Sequence, residues 1–555
     1  MNGAGNKALS IIPLGGLEEI GGLNMMVLQY ENSIIVIDAG LMFPEEDMLG
    51  IDFVIPDFSY LVENREKVKA ILITHGHEDH TGALPFLLKS VPAPIYGTRL
   101  TLGLIKDKLK EYGIEAEMHP VKPRETVSIG PFEVEFIRVT HSIVDGVGIG
   151  INTPLGRVVH TGDFKIDPTP VDGELLDFRK FSEYGEKNTL LLMSDSTNAE
   201  RGGFTFSEKE VRRAFENKFA TARGRIIIST FASNIHRIQQ AIDVAVMFGR
   251  KVAIAGRSLV SNTQIALDLG YLRIPRETWL KLEDLKDLED DKVVIITTGS
   301  QGEPMSVLSR IATDEHKQIK IKPGDTVILS AKMIPGNERS IGRIINHLFR
   351  RGANVIYEKV SEIHVSGHAS KEELKLMLNL VRPKYFMPVH GEYRHLSIHA
   401  SLALKQGIPK ENIFIMGNGE VLEFHEDEVH RAGKVDSGRV FIDGKGAGGV
   451  EEMVLRDRLR LAHDGVVIVL LGVEKLTGSI ISGPDVVSRG FIFEDASPEL
   501  IADVREFLSE TINSLDKEII ADSSLLQAKI RSSLKKYLRN VLDRRPMIMP
   551  IIMEV

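Results

Sequence analysis

Residues 70–80 read Ala-Ile-Leu-Ile-Thr-His-Gly-His-Glu-Asp-His, an apolar run that empties into a polar turn carrying His75, His77, Asp79 and His80. A short β-branched and apolar run followed by glycine and polar residues reads as a strand exit. Four potential metal ligands within six residues at that exit argue against a merely solvated loop. Imidazole nitrogen and carboxylate oxygen suit borderline to hard cations such as Zn²⁺ and Mn²⁺. His75 and His77 project from the same side of an extended turn and can share one cation, which leaves Asp79 and His80 for a second.

The rest of the composition narrows what surrounds this stretch. At 555 residues the chain exceeds the size at which a single core stops growing, so two to four structural units are expected. Apolar residues at 43% and charged residues at 26% describe an ordinary folded protein. Cysteine is absent, so disulfides and thiolate ligands are excluded, and a reducing cytoplasmic setting fits. Residues 1–10 lack the basic and apolar regions of a signal peptide, and the longest apolar stretch, 466–473, is too short to cross a bilayer. A net charge of −9 argues against non-specific coating of nucleic acid, while leaving room for a local basic or metal-lined channel.

Short β-rich runs over 34–37, 70–74, 133–139, 157–160 and 189–193 recur before residue 206, and the turns after them hold most of the His and Asp residues of interest. Beyond Ser207 the rhythm changes to strand and helix alternation. Ser207 with Glu210 predicts a capping box for a helix over 208–222. Strands over 225–230, 251–255, 292–297 and 326–329 then alternate with helices over 233–248, 261–269 and 341–351, the pattern of a parallel sheet covered on both faces. His364, His368 and His390 follow, around a helix over 371–380. Residues 425–449 are glycine-rich and charged, as linkers are, and the last hundred residues return to an α/β pattern with a strand over 466–473 and helices over 498–514 and 525–543.

Beyond the first cluster lie His141 in Thr-His-Ser, Asp163 in His-Thr-Gly-Asp-Phe, His390 in Pro-Val-His-Gly, and Asp38 at the end of the strand over 34–37. Their order is that of the metallo-β-lactamase motifs. Asp163 and His390 stand 227 positions apart, room for an inserted domain. Ser194-Asp195-Ser196-Thr197, His364-Val365-Ser366-Gly367-His368 and His390-Gly391-Glu392-Tyr393 add the motifs of the β-CASP group. Leu14-Gly15-Gly16-Leu17-Glu18-Glu19-Ile20-Gly21, Phe231-Ala232-Ser233-Asn234-Ile235-His236-Arg237, Gly299-Ser300-Gln301-Gly302-Glu303-Pro304 and Arg545-Pro546-Met547-Ile548-Met549-Pro550 narrow the likeness further. Across essentially its whole length the chain resembles the bacterial ribonuclease J family.

That resemblance implies a metallo-β-lactamase αββα sandwich, an inserted β-CASP parallel α/β domain and a small C-terminal α/β domain. The corresponding segments are 1–206 and 356–424 for the sandwich, 207–355 for the insertion, 425–449 for a linker and 450–555 for a C-terminal domain of oligomerisation type. It further implies two divalent ions per subunit, Zn or Mn. His75, His77 and His141 would hold one, Asp79, His80 and His390 the other, Asp163 would bridge them, and Asp38 would orient ligands from behind. Asp195 with His368 would protonate the leaving oxygen. Ser233, Asn234, His236, His364, Val365, Ser366, Gly367 and His368 would contact RNA. Ser330-Ala331-Lys332 departs from the serine-rich loop expected there, which bears on the 5′-phosphate pocket. The expected activity is 5′ to 3′ exonucleolytic and endonucleolytic cleavage of RNA by metal-hydroxide attack, in RNA maturation and decay. A preference for 5′-monophosphate ends, a homodimer or homotetramer, and contact with proteins of an RNA-degradation complex complete the expectation. A lactonase-type or thioesterase-type small-molecule hydrolase uses the same bimetal chemistry and is the competing reading.

Overall fold

In the computed structural model, which describes residues 7–45, 47–301, 303, 305–331, 337–357, 365–426, 428–444, 452–474, 477–491 and 498–554, the apolar run before the His-rich stretch forms the strand Val68–Leu72. This strand lies two residues earlier than the expected 70–74, because pairing with Ser33–Ile37 begins at Val68. Ile73 still donates its N–H to Tyr96 O at 2.8 Å, so the chain leaves the sheet only at Thr74.

Val68–Leu72 belongs to an eight-stranded sheet with the spatial order Val429–Lys434, Glu420–Phe424, Leu9–Gly15, Met25–Tyr30, Ser33–Ile37, Val68–Leu72, Ile95–Gly97, Met118–Pro120. A six-stranded sheet runs Tyr385–Val389, Thr189–Asp195, Gly156–His160, Val147–Thr153, Phe132–Arg138, Thr126–Ile129. Alternation along the strands sends Ile35 and Ile37 from the first sheet and Val134, Phe136, Ile149 and Ile151 from the second into one buried cluster between the two. The second sheet's other face buries Val159 and Leu192 beneath the helices Phe178–Glu186, Lys371–Val381 and Tyr393–Lys405.

Between Gly156–His160 and Tyr385–Val389 the chain builds a separate all-parallel sheet in the order Lys251–Ala255, Val293–Thr297, Ile226–Ser229, Thr326–Leu329, Asn354–Ile356. Near-continuous Val and Ile runs fit strands buried on both faces, and apolar clusters on the two sides contain Ile226 and Ile228 on one and Ile227 and Val327 on the other.

Two expectations are corrected. Ser207 caps the helix Glu208–Thr221 by accepting from Lys209 N–H, but Glu210 turns to Arg213 at 2.9 Å, so no capping box forms there. Residues 425–449, expected as a linker, contribute the strand Val429–Lys434 to the eight-stranded sheet. A capping box does form at the helix Lys371–Val381, between Ser370 and Glu373. The fully buried Glu373 carboxylate also accepts from Ile166 N–H at 2.6 Å and Thr205 N–H at 2.8 Å. Glu373→Ala leaves these donors unsatisfied and is expected to lower unfolding free energy by about 3 kcal/mol or more; a urea midpoint equal to that of wild type contradicts this.

A second compact unit comprises residues 44–52 and 441–555. Its three-stranded sheet runs Ile480–Arg489, Val466–Val473, Met547–Glu554. Leu526, Ile530, Leu534 and Leu538, each one helical turn from the next along Ser523–Leu542, form its core with Leu508 and Ile512 of Pro498–Asn513. Arg458 donates to Leu49 O and Gly50 O at 3.0 Å, tying residues 44–52 into this unit. Among the described residues no helix is long and apolar enough to cross a membrane.

Candidate metal centre

The candidate ligands all follow the C-terminal ends of strands, where a rigid sheet fixes loops in space. His75 and His77 follow Val68–Leu72, and Asp79 and His80 lie in the one-turn helix Glu78–Thr81. His141 follows Phe132–Arg138, Asp163 follows Gly156–His160, and His390 follows Tyr385–Val389. Asp38 and His390 adopt left-handed backbone angles, φ +62° and +55°, a conformation that non-glycine residues hold only where surrounding contacts impose it.

These residues converge. His77 Nδ1 lies 3.0 Å from His75 Nε2 and 3.2 Å from His141 Nε2. Asp79 Oδ2 lies 3.6 Å from His80 Nε2 and 3.5 Å from His390 Nε2. Asp163 Oδ2 sits between the two groups, 3.2 Å from His80 Nε2, 3.6 Å from His390 Nε2, 3.8 Å from His75 Nε2 and 3.9 Å from His141 Nε2.

The outer contacts fix which nitrogen points inward. Thr74 gives its only hydroxyl proton to Asp38 Oδ2 at 2.8 Å, so toward His75 Nδ1 at 3.0 Å it can only accept. Thr197 repeats the device, donating to Asp195 Oδ1 at 2.7 Å and accepting from His390 Nδ1–H at 2.7 Å. His80 Nδ1 meets Asp38 Oδ2 at 2.7 Å, and His141 Nδ1–H donates to Gly367 O at 2.7 Å. Four imidazoles thus turn Nε2 to the centre, as ligand histidines do when an outer acceptor holds the other nitrogen. Gly367 must be glycine to come this close, since a Cβ there would stand 2.6 Å from His141 Cε1.

Electrostatics mark the same centre. Burial pulls His75 and His141 well below the usual imidazole range and His77 to about 4, so all three are neutral at pH 7. Burial opposes the charged forms of His80 and His390 too. Asp163, Asp79 and Asp38 nevertheless hold His80 well above its ordinary value, and Asp163, Asp79 and Asp195 lift His390 to about 9. Asp79 and Asp163 stay ionised despite burial because the same histidines face them. Protons on His80 and His390 therefore stand where carboxylates call for positive charge, and a bound cation would displace them. His390 Nε2 is buried without a hydrogen-bond partner, which also fits a metal ligand. The residues suit divalent metal binding.

Beside this centre, Asp195 Oδ2 accepts from His368 Nδ1 at 2.8 Å, and His368 is half-buried. Burial resists ionisation of Asp195, but the His368 imidazole keeps it below the usual carboxylate range. Two residues without a sequence signal complete the surroundings. Asn24 donates to Asp79 O at 3.0 Å and meets His80 Nε2 at 3.2 Å, and Asn198 donates to Ser366 Oγ at 2.7 Å and His368 O at 2.9 Å.

The residues expected at RNA are placed less uniformly. Gly367 O accepts from His141 and Ser366 Oγ from Asn198, whereas Val365 is buried in the apolar cluster with Ile143 and Val144. Asn234 caps the helix Ile235–Met247 through Arg237 N–H, Ser233 is half-buried before it, and His236 Nε2 lies 3.3 Å from Asp172. His364 lies outside the described residues.

Lys165, Asp167, Glu208 and Arg237 form a buried charge network beside the centre. Lys165 Nζ is 3.5 Å from Asp167 and 3.6 Å from Glu208, and Arg237 donates to Glu208 at 2.7 Å and to Ser330 Oγ at 2.6 Å.

His399, fully buried, meets Ser196 Oγ at 2.9 Å, and burial pulls it down to about 3. The unfolded chain protonates this residue near pH 6.5 and the folded chain does not until about 3, so the stability it confers is present above 6.5 and is lost as pH falls through that window. From pH 6.5 to 5, metal-stripped wild type is expected to lose about 2 kcal/mol more than His399→Gln in urea unfolding. Equal losses would remove His399 as the cause.

Comparison with known proteins matches four segments of the chain to described families. Residues 20–200 match the metallo-beta-lactamase superfamily, 223–348 the ribonuclease J beta-CASP domain, 352–416 the Zn-dependent metallo-hydrolase RNA specificity domain and 453–555 the ribonuclease J C-terminal domain. Ribonuclease J 1 of Streptococcus pyogenes is 45% identical over 547 residues, covering 98% of this chain and 97% of that protein. Ribonuclease J of Thermus thermophilus is 44% identical over 98% of this chain and 95% of its own length, and ribonuclease J2 of Bacillus subtilis is 42% identical over 98% of each. A crystal structure of a protein of unknown function from Enterococcus faecalis shares the fold, with a TM-score of 0.56 at 15% identity over 75% of this chain and all of that one. On near-full-length identity and the four matched segments, the chain belongs to the ribonuclease J family.

Proposed function

We propose that the chain is a metal-dependent ribonuclease that cleaves RNA phosphodiesters both exonucleolytically from the 5′ end and internally. The observation that carries this reading is the clustering of five imidazoles with the Asp163 and Asp79 carboxylates, beside a separate Asp195–His368 pair. His75, His77 and His141 would hold one divalent cation, zinc or manganese, and Asp79, His80 and His390 a second, with Asp163 shared. When bound, such a pair supplies Lewis acidity toward the phosphodiester and lowers the pKa of the attacking water.

The chain's own groups do the rest. Asp38 and Thr74 hold the rings of His80 and His75, and Thr197 holds His390. Asp195 fixes the proton of His368 on Nδ1 as a hydrogen-bond donor, and protonation at Nε2 lets the imidazole give a proton to the departing 3′ oxygen. Asn198 and Thr205 clamp His368 O at 2.9 and 2.8 Å, setting the height of the ring. RNA would pass Ser366, Gly367 and the start of the helix Ile235–Met247, where Ser233, Asn234 and His236 would meet a further phosphate or a base edge. The unit of residues 44–52 and 441–555 would serve assembly into a dimer or tetramer. Its strand Met547–Glu554 exposes Met549, Ile551 and Met553 along one side. A cytoplasmic role in RNA maturation and decay, alongside other degradation proteins, follows from this activity.

RNA carrying a 5′ monophosphate or triphosphate tests the reading. Release of 5′ mononucleotides is expected faster from the monophosphate, abolished by chelation and restored by Mn²⁺ or Zn²⁺. Intact RNA under every metal condition would overturn it and return attention to small-molecule esters.

A further inference from the structure

A second set of ligand atoms converges far along the chain, on the hairpin of Glu420–Phe424 and Val429–Lys434. The register sets Glu423 opposite His430, and His425, two positions beyond Glu423, returns to the same face. Glu423 Oε2 lies 3.8 Å from His425 Nε2 and 3.8 Å from His430 Nε2. The two rings stack with centroids 5.2 Å apart. Two imidazoles and one carboxylate are a zinc-type ligand set. Bonds of roughly 2.1 Å at tetrahedral angles put ligand atoms roughly 3.4 Å apart. Closing 3.8 Å to that spacing, with one ring turning about χ2 to aim its lone pair, is within the freedom of these partly exposed side chains.

The surrounding charge favours a cation. Residues 423–430 read Glu-Phe-His-Glu-Asp-Glu-Val-His, four carboxylates with no lysine or arginine. The nearest bases in sequence, Arg431 and Lys434, pair with Glu420, and among the described residues no lysine or arginine pairs with Glu423. Ser10 Oγ donates to Glu423 Oε1 at 3.5 Å, holding the oxygen that does not face the histidines. The strand Val429–Lys434 is the outermost of its sheet, almost wholly exposed and paired on one side only, so cross-strand ties decide how firmly it is held.

We propose that Glu423, His425 and His430 form an accessory site for a zinc-class divalent cation, distinct from the centre around Asp163, which clips the outer strand of the eight-stranded sheet to its neighbour. The full-length chain, stripped with chelator and reloaded with Zn²⁺ alone, is compared with His425→Gln and His430→Gln by counting ions after gel filtration. Each variant is expected to retain one ion fewer than wild type while cleaving RNA at the wild-type rate. Amide exchange over 429–434 is expected to slow about tenfold in wild type when free Zn²⁺ is ten times the dissociation constant, and not in the variants. Equal ion counts in wild type and both variants would overturn the site. One ion lost with exchange unchanged would uphold the site and overturn the clip.

Discussion

Asp163→Asn is expected to lower RNA cleavage by about a thousandfold or more, equivalent to ~4 kcal/mol of barrier, and to reduce the metal retained after gel filtration. The substitution keeps the shape and removes the charge of a carboxylate whose Oδ2 lies 3.2 to 3.9 Å from His75, His80, His141, His368 and His390. No other described carboxylate lies within 4 Å of histidines from both groups of ligands. With the charge gone, the rise in His80 and His390 loses its largest Coulombic cause, and the neutral imidazoles of His75 and His141 lose the carboxylate that faces them. Circular dichroism matching wild type would show that the loss is local. A variant that cleaves within tenfold of wild type at equal metal would remove Asp163 from the centre of the mechanism.

His368→Gln is expected to slow RNA cleavage by about 10² to 10⁴-fold while leaving metal content unchanged. Its Nδ1 lies 3.9 Å from Asp163, as far as His141 does, but that same nitrogen is bonded to Asp195 at 2.8 Å, which favours a proton carrier over a metal ligand. The substrate can separate proton donation from metal binding. Bis(p-nitrophenyl) phosphate has a leaving group that needs no proton, so the variant should hydrolyse it at nearly the wild-type rate. Equal losses on both substrates would make His368 a structural or ligand residue instead of an acid.

The parts legible in the sequence were those whose chemistry demands particular residue types close together. Ligands at His75, His77, Asp79 and His80 announce themselves within six positions, and the Val and Ile runs of the inserted sheet announce burial on both faces. Asn24 and Asn198 did not, because a polar side chain that holds a ligand has no spacing rule and its partner can be 170 positions away, as Asn198 is from His368. The two Ser-x-x-Glu sequences illustrate the same limit. Ser207 and Glu210 have the pattern of Ser370 and Glu373, but Arg213 sits one turn further on and captures Glu210, while Glu373 finds only N–H donors. The outer strand Val429–Lys434 was read as linker because a strand exposed on both faces has no alternation to show. Ile480–Arg489 was passed over for a related reason, since Ser482, Gly483 and Pro484 interrupt it where the register shifts.

The network of Lys165, Asp167, Glu208 and Arg237 bears on how such proteins can be inherited in pieces. Two of its charges come from the sandwich and two from the helices of the insertion, and all four are buried. Recombination that exchanged the insertion alone between diverged relatives would bring in half of a charge set, and a mismatched partner would strand a buried ion at a cost of about 3 to 5 kcal/mol. The insertion is thus a module by topology but not by its buried charges. Functional chimaeras should carry crossover points that move residues 165–237 as one block.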